Sequence, residues 1–349
     1  MHGQKQTNYV PPHGFYLETM GKGGKVQIYF LLTENCNLNC SMCVRGKQTG
    51  VNLNFDKLNM VVKGNDFLEH DIVLTGGEPT LHKKFLEIIN LMCSVSKTVT
   101  VTTNGTQNDF FEKLVSYKNL SFQVSIDGDL NTHNQIRGKG AFEKSWKTIE
   151  LLDTLGLQYT IASVVSRKNV SEIFQLIPKL EKLNCLKCWS VSYEMPFGNA
   201  SLEDIMTAQE WNEFVDRILK IAKLRVKIKK LFPFGLYDKY KDDLENKIEL
   251  LSMYSNCGSG KSKIYVYPDL KVYPCTCLTD FCIGDLAKDT LNEIMDGDKM
   301  LPFVKYCVDQ DSECINCKYL SFCNGGCIGM SYHYMGKLGM GDKRCPKLS

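Results

Sequence analysis

Residues 34–43 read ENCNLNCSMC and place three cysteines, Cys36, Cys40 and Cys43, on one short loop. Three thiolates at this spacing can hold three irons of a cubane iron–sulfur cluster and leave the fourth iron without a protein ligand. Zinc is the alternative, but structural zinc sites normally have four protein ligands. No histidine has a regular spacing to this trio. The stretch therefore indicates an iron–sulfur cluster with one open iron.

The 349-residue chain contains 16 cysteines, far more than a protein in a reducing compartment carries without a purpose. Its first residues do not have the order of a secretory signal, and no apolar run approaches the roughly 20 residues of a membrane span. We therefore expect a cytoplasmic protein with no membrane partner, whose cysteines bind metal. The net charge of +3 is too small to indicate nucleic acid as a partner.

Between about residues 25 and 200, β-branched stretches alternate with stretches in which apolar residues recur every three or four positions. The predicted strands are Val26–Leu32, Asp71–Thr75, Thr98–Thr103, Ser121–Ile126, Tyr159–Val165 and Trp189–Tyr193. The predicted helices are Lys83–Cys93, Asp109–Tyr117, Phe142–Leu155 and Val170–Leu183. Such alternation predicts an α/β fold with a parallel sheet. Six units favour a partial (β/α)6 TIM-like barrel, and an open doubly wound sheet is the alternative that the pattern leaves open.

The composition changes along the chain and predicts four segments. Residues 1–25 form an N-terminal segment, 26–199 the partial barrel, 200–256 a helical connector with the charged helix Glu203–Leu224, and 257–349 a small cysteine-rich domain. The last segment has very short elements among Gly, Pro and Cys. It can bury little apolar surface, so we expect bound metal to hold it together.

The C-x3-C-x2-C loop after a first strand resembles the radical S-adenosylmethionine superfamily. The resemblance implies a catalytic cluster on Cys36, Cys40 and Cys43, whose open iron binds S-adenosylmethionine (SAM). Reductive cleavage of SAM then yields a 5′-deoxyadenosyl radical. Later strand ends match the family in order and imply SAM contacts from Gly76, Gly77, Glu78, Asn104, Ser125 and Arg137. Arg137 is expected at the methionine carboxylate, and Ser125 at that carboxylate or the ribose. Met42 departs from the family, which usually has an aromatic residue there.

The C-terminal cysteines form the most specific pattern in the chain. They are Cys314, Cys317, Cys323, Cys327 and Cys345, preceded by Cys257 and Cys275. Two zinc ribbons are the alternative. The pattern resembles the SPASM extension of the same superfamily, which binds two auxiliary [4Fe–4S] clusters.

The resemblance implies a ligand set for each auxiliary cluster. The outer cluster would have Cys314, Cys317, Cys323 and Cys345, and the inner one Cys257, Cys275 and Cys327. The inner cluster is either open at one iron or completed by Cys277, Cys282 or Cys307, among which we favour Cys277. Leu270 stands where the family usually has glycine. The remaining cysteines, Cys93, Cys185 and Cys188, are expected to be buried small residues.

Enzymes that resemble this chain mostly modify peptides and proteins, which implies an oxidoreductase or maturase that crosslinks or dehydrogenates a side chain. The resemblance also implies an external electron donor of the flavodoxin or ferredoxin type. Thr276 follows Cys275, where sulfatase-maturating relatives have an acidic base, so that branch is disfavoured. Substitute bases are Asp280, Asp285 and Glu194.

The substrate remains open at this stage. Only 35 residues precede Cys36, so we expect a peptide substrate to dock directly or through a separate leader-peptide-binding protein. One alternative is oxidation of a small molecule, such as a sugar or a modified haem. Another is a non-catalytic iron–sulfur protein that transfers electrons or acts as a scaffold.

Overall fold

The structure is a computed structural model, and it describes residues 25–46, 48–235, 237–238 and 257–348. The predicted N-terminal segment, apart from residue 25, and residues 239–256 of the predicted connector lie outside the described residues. The chain forms two compact units. Of the described residues, the first unit includes 38–46 and 101–230, and the second includes 25–37, 48–100, 231–235, 237–238 and 257–348. The predicted domain boundaries stay predictions.

The elements of the described residues follow in chain order. The strands are β1 (Gln27–Thr33), β2 (Asp71–Gly76), β3 (Thr98–Thr103), β4 (Leu120–Ser125), β5 (Tyr159–Val165), β6 (Leu186–Tyr193), β7 (Val226–Lys227), β8 (Lys263–Val266), β9 (Lys271–Tyr273) and β10 (Gly284–Asp285). The α-helices are α1 (Phe55–Gly64), α2 (Phe85–Val95), α3 (Leu130–Arg137), α4 (Ala141–Thr154), α5 (Ile177–Leu180), α6 (Ala208–Ile221), α7 (Leu291–Met295), α8 (Leu301–Val304), α9 (Leu320–Cys323) and α10 (Ile328–Met335). Short 3-10 helices cover Pro79–Leu81, Phe111–Leu114, Ile173–Leu176, Leu202–Asp204, Asp298–Met300 and Glu313–Asn316.

The second unit is built around β1, which pairs in parallel with β2 on one side and with β8 on the other. Strands β8, β9 and β10 continue as an antiparallel ribbon. Strand β1 reads QIYFLLT, and such an apolar and aromatic run is typical of a strand with both faces covered. Its Ile28 and Phe30 are completely buried, as are Ile72 and Leu74 of β2.

The first unit contains the parallel strands β4, β5, β6 and β7 in that order. Val124, Ile161 and Trp189 from three neighbouring strands are completely buried, and so is Ile149 of α4. Helix α6 is capped at its N-terminus by Thr207, whose hydroxyl accepts from the Glu210 amide in a capping box.

The six predicted strands are present, with ends within three residues of the prediction. The prediction of a helix over 109–117 is wrong, since the structure has only a short 3-10 helix there, at Phe111–Leu114. This single turn is enough to bury the apolar side chains of Phe111 and Leu114. The predicted helix over 170–183 is split into Ile173–Leu176 and α5. Pro178 lies at the start of α5 and has no amide to donate to the preceding turn.

Both units consist of strands that alternate with helices, and most strand pairs are parallel. This arrangement confirms the predicted α/β class. No helix in the described part of the chain is long and apolar enough to cross a membrane.

Candidate active site

The glycine motif after β2 supports the start of the cysteine loop in the second unit. The Gly77 amide donates to the Thr33 carbonyl at 2.7 Å, and the Glu78 amide donates to the Asn35 carbonyl at 2.8 Å. A Cβ atom on Gly77 would lie 2.2 Å from the Asn35 oxygen, and one on Gly76 would lie 2.3 Å from the Thr33 oxygen. Only glycine therefore permits this close approach of the two backbones.

Cys36 begins the loop and is half-buried. Its amide donates to Oε1 of Gln48 at 3.0 Å, and the Glu34 amide donates to the Val51 carbonyl at 2.8 Å. The chain that follows the third cysteine thus returns along the start of the loop. Gln48 was not predicted, because a single glutamine twelve residues away gives no sequence signal.

Glu78 lies at the end of β2 and is 1% exposed. Its Oε1 atom accepts from the Thr80 amide at 3.2 Å and from the Thr80 hydroxyl at 2.6 Å. These bonds fix the orientation of a buried carboxylate that follows the glycine pair. A fixed carboxylate is suited to bind an ammonium group.

The first unit contains the other two cysteines of the loop. Cys40 is buried and Cys43 half-buried. The Cys43 amide donates to the Cys40 carbonyl at 3.2 Å, and the Ser41 amide donates to the Ile136 carbonyl at 3.0 Å. The loop is therefore attached to α3 one residue before Arg137.

Asn104 and Ser125 lie at the ends of β3 and β4 in the same unit. Asn104 is buried, and its Oδ1 atom accepts from the amide and the hydroxyl of Thr106 at 2.9 and 2.7 Å. The hydroxyl of Ser145 in α4 donates to the Asn104 carbonyl at 2.6 Å. Ser125 is half-buried and pairs with Ala162 of β5. Both positions are thus at carboxyl ends of strands, where barrels place their active sites.

Arg137 is buried, and its Nε atom donates to Oδ2 of Asp127 at 2.5 Å. Asp127 is completely buried, and its other oxygen accepts from the Val164 amide at 2.8 Å. Its carbonyl accepts from Nδ2 of Asn169 at 2.7 Å. Asp127 therefore orients Arg137. The family resemblance implies SAM contacts for Ser125 and Arg137 but no role for Asp127, although this acidic residue lies between them in the same motif.

His133 of α3 is completely buried. Its Nδ1 atom accepts from the Asp127 amide at 3.1 Å, and burial lowers the pKa of His133 to about 4. The ring is therefore neutral near pH 7. It contacts Phe142 edge to face, with ring centroids 5.8 Å apart.

The three candidate bases differ sharply in their surroundings. Glu194 directly follows β6 and is 2% exposed, and burial raises the pKa of its carboxyl. Its Oε1 atom has no hydrogen-bond partner among the described residues. Asp280 is exposed and accepts from the Tyr332 hydroxyl, and Asp285 is paired with Lys288 at 3.3 Å. Glu194 is thus the candidate with a buried oxygen available to a ligand.

Four C-terminal cysteines come together in the second unit as the predicted outer group. Burial and repulsion by Cys345 and Cys314 raise the pKa of Cys323 to about 12. Burial, with further repulsion by Cys314 and Cys317, raises the pKa of Cys345. An aromatic cluster of Phe234, Tyr237, Tyr319 and Phe322 packs against three of these cysteines. Four thiols in an apolar setting suit an iron–sulfur cluster.

A second group contains Cys257, Cys275, Cys277 and Cys327. A hydrogen bond from Cys277 lowers the pKa of Cys275 to about 6, and the Cys277 amide donates to the Cys275 sulfur at 3.4 Å. The Cys275 hydrogen bond, burial and repulsion by Cys327 raise the pKa of Cys277. Burial and repulsion by Cys257 raise the pKa of Cys327 to about 12. The predicted inner ligands are therefore neighbours, and Cys277 joins them.

The remaining cysteines are not part of these groups. The Cys282 thiol donates to the Gly284 carbonyl at 3.3 Å, and Cys307 is exposed. Cys93, Cys185 and Cys188 are half-buried, whereas the prediction had them buried. Cys185 and Cys188 are partly exposed because they lie at the start of β6, where the strand is not fully covered. Within the described ranges, no three His, Cys, Asp or Glu side chains converge closely enough to hold a single metal ion.

Comparison with known proteins defines the class. The family model of the Radical SAM superfamily matches residues 30–177, and the SPASM model, described as an iron–sulfur cluster-binding domain, matches residues 257–318. The chain belongs to the radical S-adenosylmethionine superfamily and carries a SPASM domain. It is therefore an enzyme, and these domains imply that it binds iron–sulfur clusters and SAM.

Particular relatives refine this class. AlbA of Bacillus subtilis, an antilisterial bacteriocin subtilosin biosynthesis protein, is 28% identical over 313 residues, which cover 85% of this chain and 66% of AlbA. The sporulation killing factor maturation protein SkfB of the same organism is 35% identical over 154 residues, 42% of this chain and 37% of SkfB. The matched region is thus less than two thirds of each relative.

A solved structure supports the fold. SuiB of Streptococcus suis is 17% identical and matches with a TM-score of 0.75 over 92% of this chain and 77% of SuiB. This likeness confirms the predicted fold class, a partial barrel followed by a SPASM domain.

Proposed function

We propose that this enzyme uses a 5′-deoxyadenosyl radical to oxidise a peptide or protein side chain, by crosslinking or by dehydrogenation. The observation that carries the proposal is that one loop offers three cysteines, while the cysteines of each expected C-terminal ligand set lie close enough to shift one another's pKa. SAM on the open iron supplies the radical chemistry, and two further clusters suit a reaction that must remove electrons from the substrate.

The proposal assigns the catalytic cluster to Cys36, Cys40 and Cys43. The proposed SAM contacts are Gly76, Gly77, Glu78, Asn104, Ser125 and Arg137. Asp127 fixes the orientation of Arg137, which prepares the guanidinium for the SAM carboxylate. Thr80 fixes Glu78 in the same way, which prepares its carboxylate for an ammonium group.

We assign the outer auxiliary cluster to Cys314, Cys317, Cys323 and Cys345, and the inner one to Cys257, Cys275, Cys277 and Cys327. The contact between the Cys277 amide and the Cys275 sulfur supports Cys277 as the fourth inner ligand. Cys277→Ser should lower the iron content of the reconstituted protein, whereas Cys282→Ser and Cys307→Ser should leave it unchanged. Equal iron in all three variants would contradict the assignment of Cys277.

Oxidation of the substrate requires a proton acceptor as well as electron acceptors. Removal of one hydrogen atom leaves a substrate radical, and a closed-shell product forms when this radical loses one electron and one proton. An auxiliary cluster held by the C-terminal cysteines would accept the electron, and we assign the proton to Glu194, whose buried Oε1 atom has no partner among the described residues. A carboxyl with a raised pKa is better matched to proton transfer near neutral pH than an ordinary one.

The names of the relatives support a peptide substrate. AlbA acts in the biosynthesis of a bacteriocin and SkfB in the maturation of a killing factor, and SuiB has been solved bound to its precursor peptide SuiA. We infer that this enzyme also accepts a peptide, either directly or through a separate leader-peptide-binding protein. We further propose an external flavodoxin or ferredoxin as electron donor and the cytoplasm as the site of action.

Coexpression tests this function. The enzyme is produced anaerobically with short peptides encoded next to its own gene, and the peptides are analysed by mass spectrometry. We expect one peptide to lose two hydrogen atoms per modification, and we expect no loss with a Cys36→Ala, Cys40→Ala, Cys43→Ala variant. If the enzyme forms 5′-deoxyadenosine while a bound peptide stays unchanged, the oxidative function is wrong.

A further inference from the structure

The turn after β6 contacts the cysteine loop within the first unit. The Asn199 amide donates to the Cys43 carbonyl at 2.9 Å, and its Nδ2 atom donates to the Cys40 carbonyl at 3.1 Å. The same Nδ2 atom lies 3.3 Å from Oδ1 of Asn39. One residue, which is 156 positions beyond the third cysteine, thus binds the backbone of two of the three expected cluster ligands.

Gly198 makes this approach possible. It has a φ of 65°, and a Cβ atom there would lie 2.3 Å from the Cys43 oxygen and 2.6 Å from the Val44 oxygen. The position therefore requires glycine for both its conformation and its close contact. The turn is shaped to fit this part of the cysteine loop.

The exposure and the hydrogen bonds of the Asn199 side chain indicate that it acts on the cysteine loop. Asn199 is exposed and contributes nothing to the apolar core. Within the described residues, its side-chain hydrogen bonds go to the cysteine loop alone. The Cys40 carbonyl accepts from Nδ2 of Asn199 at 3.1 Å and from the Cys43 amide at 3.2 Å, so loss of the Asn199 side chain would remove one hydrogen bond that orients this peptide group.

We propose that Asn199 is a positioning residue that holds Cys40 and Cys43 in the geometry that the catalytic cluster needs. The inference rests on the proposed function in one respect, that these cysteines bind the catalytic cluster. Groups that orient metal ligands without touching the metal typically change metal affinity or activity by 10- to 100-fold. Loss of the Asn199 side chain should therefore act on this cluster and leave the auxiliary clusters unchanged.

Electron paramagnetic resonance (EPR) of the complete, anaerobically reconstituted and reduced chain tests the inference. The part of the spectrum that changes on addition of SAM reports the catalytic cluster, and the part that does not change reports the auxiliary clusters. In Asn199→Ala we expect the SAM-sensitive part of the spectrum to disappear about tenfold faster when EDTA is added. We also expect the spectral change to require an about tenfold higher concentration of SAM. The insensitive part should decay as in the wild type.

Asn184→Ala is the matched control, because Asn184 is also exposed and its Nδ2 atom donates to Asp153 at 3.2 Å. It should behave as the wild type. Gly198→Ala should reproduce the Asn199→Ala result by pushing the turn away from Cys43. A wild-type response of Asn199→Ala, or an equal loss of both parts of its spectrum, would overturn the inference. A wild-type protein without a SAM-sensitive part would overturn the proposed function, and this inference with it.

Discussion

The buried ion pair between Asp127 and Arg137 gives the sharpest stability prediction. The two side chains are 0% and 9% exposed, and Asp127 also accepts from the Val164 amide. Asp127→Ala removes the counter-charge and leaves a buried guanidinium without it. We expect this change to lower the free energy of unfolding by about 3–5 kcal/mol. Asp127→Asn keeps an oxygen for the Val164 amide and should cost less, about 2 kcal/mol.

Urea unfolding under anaerobic conditions, followed by circular dichroism, measures the free energy of unfolding of both variants. The slope of this free energy against urea concentration is compared between the variants. Asp216→Ala is the control, because the pair of Asp216 with Lys230 is 52% and 35% exposed. Breaking this exposed pair should cost at most about 1 kcal/mol. If Asp127→Ala costs no more than Asp216→Ala, Asp127 does not hold Arg137 as the structure indicates.

Further variants test separate parts of the account. His133 has a pKa near 4 in the folded state, below its unfolded value, so the unfolded chain binds more protons between pH 6.5 and 4. Stability should fall by up to about 3 kcal/mol as pH drops through this window, and urea titrations of His133→Gln should show a flatter pH dependence. Gly77→Ala would place a Cβ atom against the Asn35 oxygen and should abolish the SAM-sensitive EPR signal, whereas Gly64→Ala, with nothing within 4 Å, should preserve it. Glu194→Gln should still form 5′-deoxyadenosine but lower oxidised product at least about 100-fold; an unchanged product yield would exclude Glu194 as base.

The sequence predicted the parts of the molecule that depend on local pattern. Alternating apolar stretches predicted β1 to β6, because strands covered on both faces require such runs. The spacing of the C-terminal cysteines, through the family resemblance, predicted two ligand sets, and within each set some cysteines lie close enough to raise one another's pKa.

The sequence did not predict interactions between residues that are distant in the chain. Asp127 and Asn199 gave no signal, because their roles depend on contacts with Arg137 and with the cysteine loop. Cys277 could only be favoured over Cys282 and Cys307, since spacing alone does not show which thiol faces the others.

Leu270 illustrates a local departure from the family pattern. It stands where the family usually has glycine, and the structure gives it a φ of 68°, which costs a non-glycine residue roughly 1–2 kcal/mol. Its side chain is only 2% exposed. Burial of a leucine side chain contributes about 1.5–3 kcal/mol, enough to offset this strain. The fold therefore tolerates leucine at this position.

If Cys36, Cys40 and Cys43 present an open iron to SAM, chromatography of a reduced reaction mixture should detect the cleavage of SAM. The anaerobically reconstituted wild-type enzyme should convert SAM into 5′-deoxyadenosine and methionine. The variant with all three cysteines replaced by alanine should form none, although it retains the iron of the auxiliary clusters. Cleavage of SAM by this variant, or no cleavage by the wild type with all clusters assembled, would show that these three cysteines do not hold the catalytic cluster.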